Sequence, residues 1–101
     1  MFARVNIFQG SRESLDQSQK IAEERVVPEL RAIDGSVGIF VLGDRQTGRS
    51  IAITLWESEK AITASEETAN RMRSDSSQET GEEVVSVERY EVQQDERWAA
   101  R

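Results

Sequence analysis

Four short runs of strand-type residues are separated, in order, by a long helical stretch, a tight polar turn and a second helical stretch, and few folds accept that order. The first run is Phe2 to Gln9, ended by Gly10-Ser11. The second, Val37 to Gly43, is dense in β-branched and aromatic residues, and the third, Ser50 to Glu57, follows the polar turn Asp44-Arg45-Gln46-Thr47-Gly48-Arg49. Runs two and three therefore read as an antiparallel hairpin. The fourth, Val84 to Val92, starts after the break at Gly81-Glu82-Glu83.

The helical stretches carry their own signals. From about Glu13 to Ile33, Leu15, Ala22, Val26 and Ile33 fall on one narrow stripe at 3.6 residues per turn. Pro28 lies inside that pattern, where its missing N–H predicts a kink or an end. Gly35 is placed for a left-handed cap. The second stretch, about Glu59 to Ser77, has Ser58 as N-cap and Glu59 at the positive end of the dipole. Its inward stripe, Ala61, Ser65, Thr68 and Met72, is small for a core face. The order β-α-β-β-α-β predicts an α+β, ferredoxin-like fold, a four-stranded antiparallel sheet with two helices on one face. With 101 residues the chain is expected to be one domain, residues 1–93, followed by a polar tail, 94–101, broken only by Trp98.

Period-2 alternation gives each strand two faces. One is aliphatic: Val5, Ile7, Val37, Ile39, Val41, Ile51, Ile53, Leu55, Val85 and Val87. The other mixes aromatic and polar residues: Phe2, Arg4, Asn6, Phe8, Phe40, Leu42, Ala52, Thr54, Trp56, Ser86, Glu88 and Tyr90. Helices on one side leave the other side bare, and a bare aliphatic face of four strands exceeds what monomers usually expose. A homodimer through that face, with Val5, Ile39, Val41, Ile53, Leu55 and Val87 at the seam, is the expected cover.

Composition excludes several functions. The net charge of −6 argues against nucleic acid and against an anionic membrane surface. Without cysteine or histidine there is no disulfide, thiol nucleophile, imidazole base or His-ligated metal. No apolar run approaches the roughly 20 residues of a membrane span. The opening Met1-Phe2-Ala3-Arg4-Val5-Asn6 lacks a signal-peptide pattern, so a cytoplasmic protein is expected. The acidic pairs Glu23-Glu24 and Glu66-Glu67 read as solvated helix faces, and Glu79, Glu82 and Glu83 lack the spacing of a calcium loop.

Three stretches then carry a resemblance: Asn6 in the first strand, Gly35-Ser36-Val37-Gly38 before the second, and Ile53-Thr54-Leu55-Trp56-Glu57-Ser58-Glu59-Lys60-Ala61, a strand running into a helix. With Val85-Ser86-Val87-Glu88-Arg89-Tyr90-Glu91 as closing strand, the chain resembles the antibiotic biosynthesis monooxygenase (ABM) domains of the dimeric α/β-barrel superfamily over residues 1 to about 93. The resemblance implies a homodimeric barrel with a small-molecule cavity between sheet and helices in each subunit. Members include cofactor-independent monooxygenases of polycyclic phenols or quinols, haem-degrading enzymes and proteins of no assigned activity. It also implies that Asn6 and Trp56 are pocket residues. The histidine that active members often place on the second helix is absent, with Ser65, Glu66, Thr68 and Ala69 around that turn, so a haem would lack its axial nitrogen and no cofactor is expected.

Cofactor-free oxygenation asks the protein for a base, donors for an oxyanion and a dry site. The expected catalytic residues are Asn6 and Trp56 as donors and Tyr90 as a base. Arg4, Phe8, Phe40, Thr54, Met72 and Glu88 are expected to contact substrate, Arg4 against an anion and Glu88 as an alternative base. The reading is a cofactor-independent monooxygenase of a small aromatic or quinol. Its alternatives are a non-catalytic module binding a small apolar or aromatic molecule, and a structural dimeric barrel whose cavity is filled. A buried Glu88 or Tyr90 facing Asn6 would favour the enzyme, apolar walls without a titratable group the binding module, and a collapsed cavity the structural domain.

Overall fold

The computed structural model describes residues 1–100; Arg101, the last residue of the expected tail, lies outside the described residues. The strands are β1 (Phe2–Gln9), β2 (Ser36–Asp44), β3 (Arg49–Trp56) and β4 (Glu83–Glu91). They form one antiparallel sheet in the order β2-β3-β1-β4. This is the expected ferredoxin-like α+β arrangement, with β1 and β3 central and β2 and β4 at the edges. After β4, residues 92–100 have no regular secondary structure. Among the described residues no helix is long and apolar enough to cross a membrane.

The first crossover is continuous from Arg12 to Arg31: α1 (Arg12–Ile21), a π-helical turn (Ala22–Val26) and α2 (Val27–Arg31). Ser11 caps it, accepting from Ser14 N–H at 3.2 Å while Ser14 Oγ accepts from Ser11 N–H at 2.8 Å. Pro28 does not end the helix. The wide turn before it carries the chain past the missing donor, with Val27 N–H reaching back to the Ala22 carbonyl. Gly35 then takes φ 84°, the left-handed value expected of it.

The second crossover, expected as one helix, is two: α3 (Glu59–Ala64) and α4 (Glu66–Thr80). Ser58 caps α3 through Ala61 N–H at 3.1 Å. The break is at Ser65, whose hydroxyl donates back to the Ile62 carbonyl at 2.7 Å and accepts from Arg4. Leu30, Trp56 and Ile62 form the buried core beneath the two crossovers, with Phe2, Val26, Ile33, Ile39 and Met72 packed around it.

Residues paired directly across antiparallel strands project to one face, and the ladder corrects half of the face assignment. Ile39 pairs with Thr54 and Val41 with Ala52, so both lie on the helix side, while Phe40 and Leu42 pair with Ile53 and Ile51 on the open side. Both sets are apolar, so alternation alone does not choose between them; the bulge between Ser36 and Gly38 sets the phase. On β4, Val87 pairs with Asn6 and faces the helices, whereas Glu88 pairs with Val5 and Tyr90 with Ala3 on the open face. Arg89 fixes that phase, donating to Thr63 of α3 at 2.9 Å and to Glu66 of α4 at 3.4 Å. Of the six expected seam residues, Val5, Ile53 and Leu55 lie on the open face, and Ile39, Val41 and Val87 do not. The open face keeps its apolar character through Phe40 and Leu42, which are 44% and 48% exposed.

Candidate functional site

Between the helix-side face of the sheet and the two crossovers lies a cavity of about 90 Å³. Its floor is Arg4, Asn6 and Phe8 of β1 with Ala52, Thr54 and Trp56 of β3. Ala22 and Val26 of the π turn, Leu30, Ala69 and Met72 close it from above. Small side chains facing one another, Ala22 and Ala69 over Ala52, leave space that larger ones would fill. Of the small stripe expected on the second crossover, Met72 lines this void, whereas Ala61, Ser65 and Thr68 do not; Ala69 stands there instead, and Phe40 is not part of it.

Arg4 is 1% exposed, and a buried guanidinium must find acceptors. Nη1 donates to Ser65 Oγ at 3.0 Å, and Nη2 to the Ile62 carbonyl at 2.8 Å and to Glu66 Oε1 at 2.9 Å. Its carbon Cζ lies 5.7 Å from the centroid of the Trp56 ring, a cation–π contact. Its Nε is buried without a hydrogen-bond partner among the described residues. Asn6 bridges sheet and helix: Nδ2 donates to the Ala52 carbonyl at 2.8 Å, and Oδ1 accepts from Arg73 Nη1 at 2.9 Å. Trp56, also 1% exposed, donates from Nε1 to Thr54 Oγ1 at 3.0 Å.

The structure thus brings Arg4, Asn6, Phe8, Thr54, Trp56 and Met72 to one cavity. It places Phe40, Glu88 and Tyr90 on the opposite face, where the Tyr90 hydroxyl donates to Glu88 Oε2 at 2.6 Å. That bond, and the charge of Glu88, push the phenol above its ordinary value.

Two further groups at the cavity carry no local sequence signal. Arg73 follows Met72 on α4 and reaches Asn6 and Asn70; burial, and then the neighbouring Arg4, lower its pKa. Glu82 reads in the sequence as a turn charge like Glu79 and Glu83, yet it is 3% exposed and lines the far end of the cavity. Its carboxylate accepts from Ser18 Oγ at 2.8 Å and Ser14 Oγ at 3.3 Å, with Thr80 Oγ1 more distant at 3.4 Å. Among the described residues no cation lies within ion-pair distance of it, and no group of three His, Cys, Asp or Glu side chains converges as a metal site.

No family model matches the chain. An uncharacterized protein of Mycobacterium tuberculosis is 33% identical over 92 residues, which are 91% of this chain and 41% of that protein. The chain therefore spans about two fifths of the length of the curated relatives it first matches. Solved structures share its fold. A candidate antibiotic biosynthesis monooxygenase from Deinococcus radiodurans superposes with TM-score 0.73 at 14% identity, over 99% of this chain and 100% of that one. A monooxygenase of Streptomyces coelicolor, in complex with nanaomycin D, gives TM-score 0.73 at 13% identity, covering 97% and 92%. A haem degrader of M. tuberculosis with two haems in its active site gives TM-score 0.66 at 20% identity, covering 94% and 98%. The chain has the ABM-like fold. A haem does not fit these residues: the chain has no histidine, and the cavity of about 90 Å³ is well below the roughly 300 Å³ at which sites for larger ligands begin.

Proposed function

We propose that this ABM-like domain is a cytoplasmic homodimer whose sheet–helix cavity binds a small phenol or quinol and oxidises it with molecular oxygen, without metal or haem. The observation that carries this reading is the polarity of an otherwise apolar cavity, whose lining includes the buried Glu82 carboxylate and the Asn6–Arg73 pair. The domain is read as residues 1–93, with 94–101 as a polar tail. The activity of any longer protein containing it is part of the same proposal.

In this scheme Glu82 accepts the phenolic proton, taking the role that the sequence offers to Glu88 and Tyr90. Its hydroxyl partners Ser14 and Ser18 hold the carboxylate in place before reaction. Trp56 contributes a ring face and keeps water out, because its indole N–H is already given to Thr54. Arg4 and Arg73 offset negative charge on the substrate anion. The anion adds dioxygen at a ring carbon; the hydroperoxide loses water and leaves a carbonyl. The ring loses two hydrogens and gains one oxygen, and the other oxygen leaves as water. The cavity volume restricts the substrate to a single ring.

Resorcinol under ¹⁸O₂ tests this reading. The expected product is a hydroxyquinone carrying one labelled oxygen, formed faster than without protein, and Glu82→Gln lowers the rate about a hundredfold or more. Absence of labelled product sinks the enzyme reading. The second reading, a non-catalytic binding module, is favoured by the side-chain N–H groups of Asn6 and Trp56, which are already spent on Ala52 and Thr54. The same cavity then binds without turnover.

A further inference from the structure

We propose that the cavity takes a single-ring aromatic carboxylate, with the carboxylate oxygens against Arg73 at the Asn6 end and the ring against the apolar walls. This rests on the reading that the cavity holds a small molecule, and it names the class of that molecule.

The charges beside Arg73 do not balance. Arg4, Arg73 and Arg89 meet where β1 and β4 pass under α4, and Glu66 is the carboxylate paired there. Its Oε1 serves both Arg4, at 2.9 Å, and Arg89, at 3.4 Å. Arg73 has no carboxylate within ion-pair distance among the described residues. Its two terminal nitrogens go instead to the neutral amide oxygens of Asn6 and Asn70. A half-buried guanidinium beside a second guanidinium, in a chain of net charge −6, is a place where an anion gains more than it does in water.

A second observation points the same way. Arg4 is almost wholly buried, yet its Nε has no acceptor among the described residues, so the donors here exceed the acceptors present. The walls then choose the kind of anion. Val26, Leu30, Ile39, Trp56 and Met72 offer nothing to an inorganic ion but match the faces of a flat ring. A planar carboxylate also suits the fork of a guanidinium.

Calorimetric titration of the full chain with benzoate and with benzyl alcohol, its neutral counterpart of similar size, tests the assignment. Benzoate is expected to bind at least tenfold more tightly. Arg73→Gln, which keeps a donor toward Asn6 but removes the charge, is expected to erase that preference. Asn6→Asp, which sets an internal counter-charge beside Arg73 at the loss of the donor to Ala52, is expected to lower benzoate affinity by a larger factor than benzyl alcohol affinity. Equal binding of the two probes by the native protein overturns the carboxylate assignment and leaves the cavity reading standing. Absence of binding by both overturns the cavity reading as well. A benzoate preference that survives both substitutions overturns the placement at Arg73.

Discussion

Arg73 of α4 donates from Nη1 to Oδ1 of Asn6 on β1, at 2.9 Å and across 67 residues of sequence, while the Asn6 amide nitrogen donates to the Ala52 carbonyl of β3 at 2.8 Å. One asparagine thereby joins the helix layer to the two central strands at the wall of the cavity. Neither an aspartate, which lacks the donor, nor a leucine, which lacks both groups, reproduces it.

Asn6→Leu is expected to destabilise the fold by about 1–3 kcal/mol, the range for leaving buried partners unsatisfied. The Ala52 carbonyl and Arg73 Nη1 both lose their partner in that variant. Urea denaturation measures the change. A variant as stable as the native chain would mean that the bridge contributes nothing to holding α4 on the sheet.

Trp56 belongs both to the core and to the cavity wall. Because the side chain is 1% exposed and packed with Leu30 and Ile62, Trp56→Ala is expected to cost about 3–5 kcal/mol, the range for emptying a buried aromatic site. It also strands the Thr54 hydroxyl. A loss well under 2 kcal/mol in the same denaturation experiment would show that the indole stands in open space rather than in packed core.

Which elements form, and in what order, is legible in the sequence because strand alternation, the Ser58 cap and Gly35 are local signals. The phase of the edge strands is not. Val37 to Leu42 is apolar on both faces, and in Val84 to Val92 the valines mark an aliphatic face that the Arg89 pairing turns toward the helices. The same limit governs the site. Arg4, Asn6, Thr54 and Trp56 lie on central strands whose phase follows from alternation, and they reach the cavity as expected; Phe40, Glu88 and Tyr90 lie on edge strands and do not. Glu82 is invisible for another reason. Its burial depends on Ser14 and Ser18, 68 and 64 residues away.

The corrected faces make a paired prediction for assembly. Ile53 lies at the middle of the open face, so under the proposed homodimer Ile53→Asp is expected to place a charge at the seam and yield a monomer in light scattering. Val87 pairs with Asn6 on the helix side, so Val87→Asp is expected to remain dimeric. A dimeric Ile53→Asp protein, or a monomeric Val87→Asp one, would place the interface elsewhere.

The Tyr90–Glu88 pair gives a pH prediction with a defined sign. Donation to the Glu88 carboxylate stabilises the neutral phenol, and the nearby negative charge opposes a phenolate, so the pKa lies above 10.0 in the folded chain. The bond therefore contributes fully below the unfolded value of about 10 and is lost as pH rises through the higher folded value. A base for proton abstraction near neutral pH needs the opposite shift, which agrees with the placement of Tyr90 away from the cavity. Tyr90 is the one tyrosine of the chain, so ultraviolet absorbance of the phenolate follows it without overlap from another phenol. The native protein is expected to titrate above 10, and Glu88→Gln to move the midpoint back toward it. A native midpoint at about 10 that ignores Glu88→Gln would mean that the pair does not persist in solution.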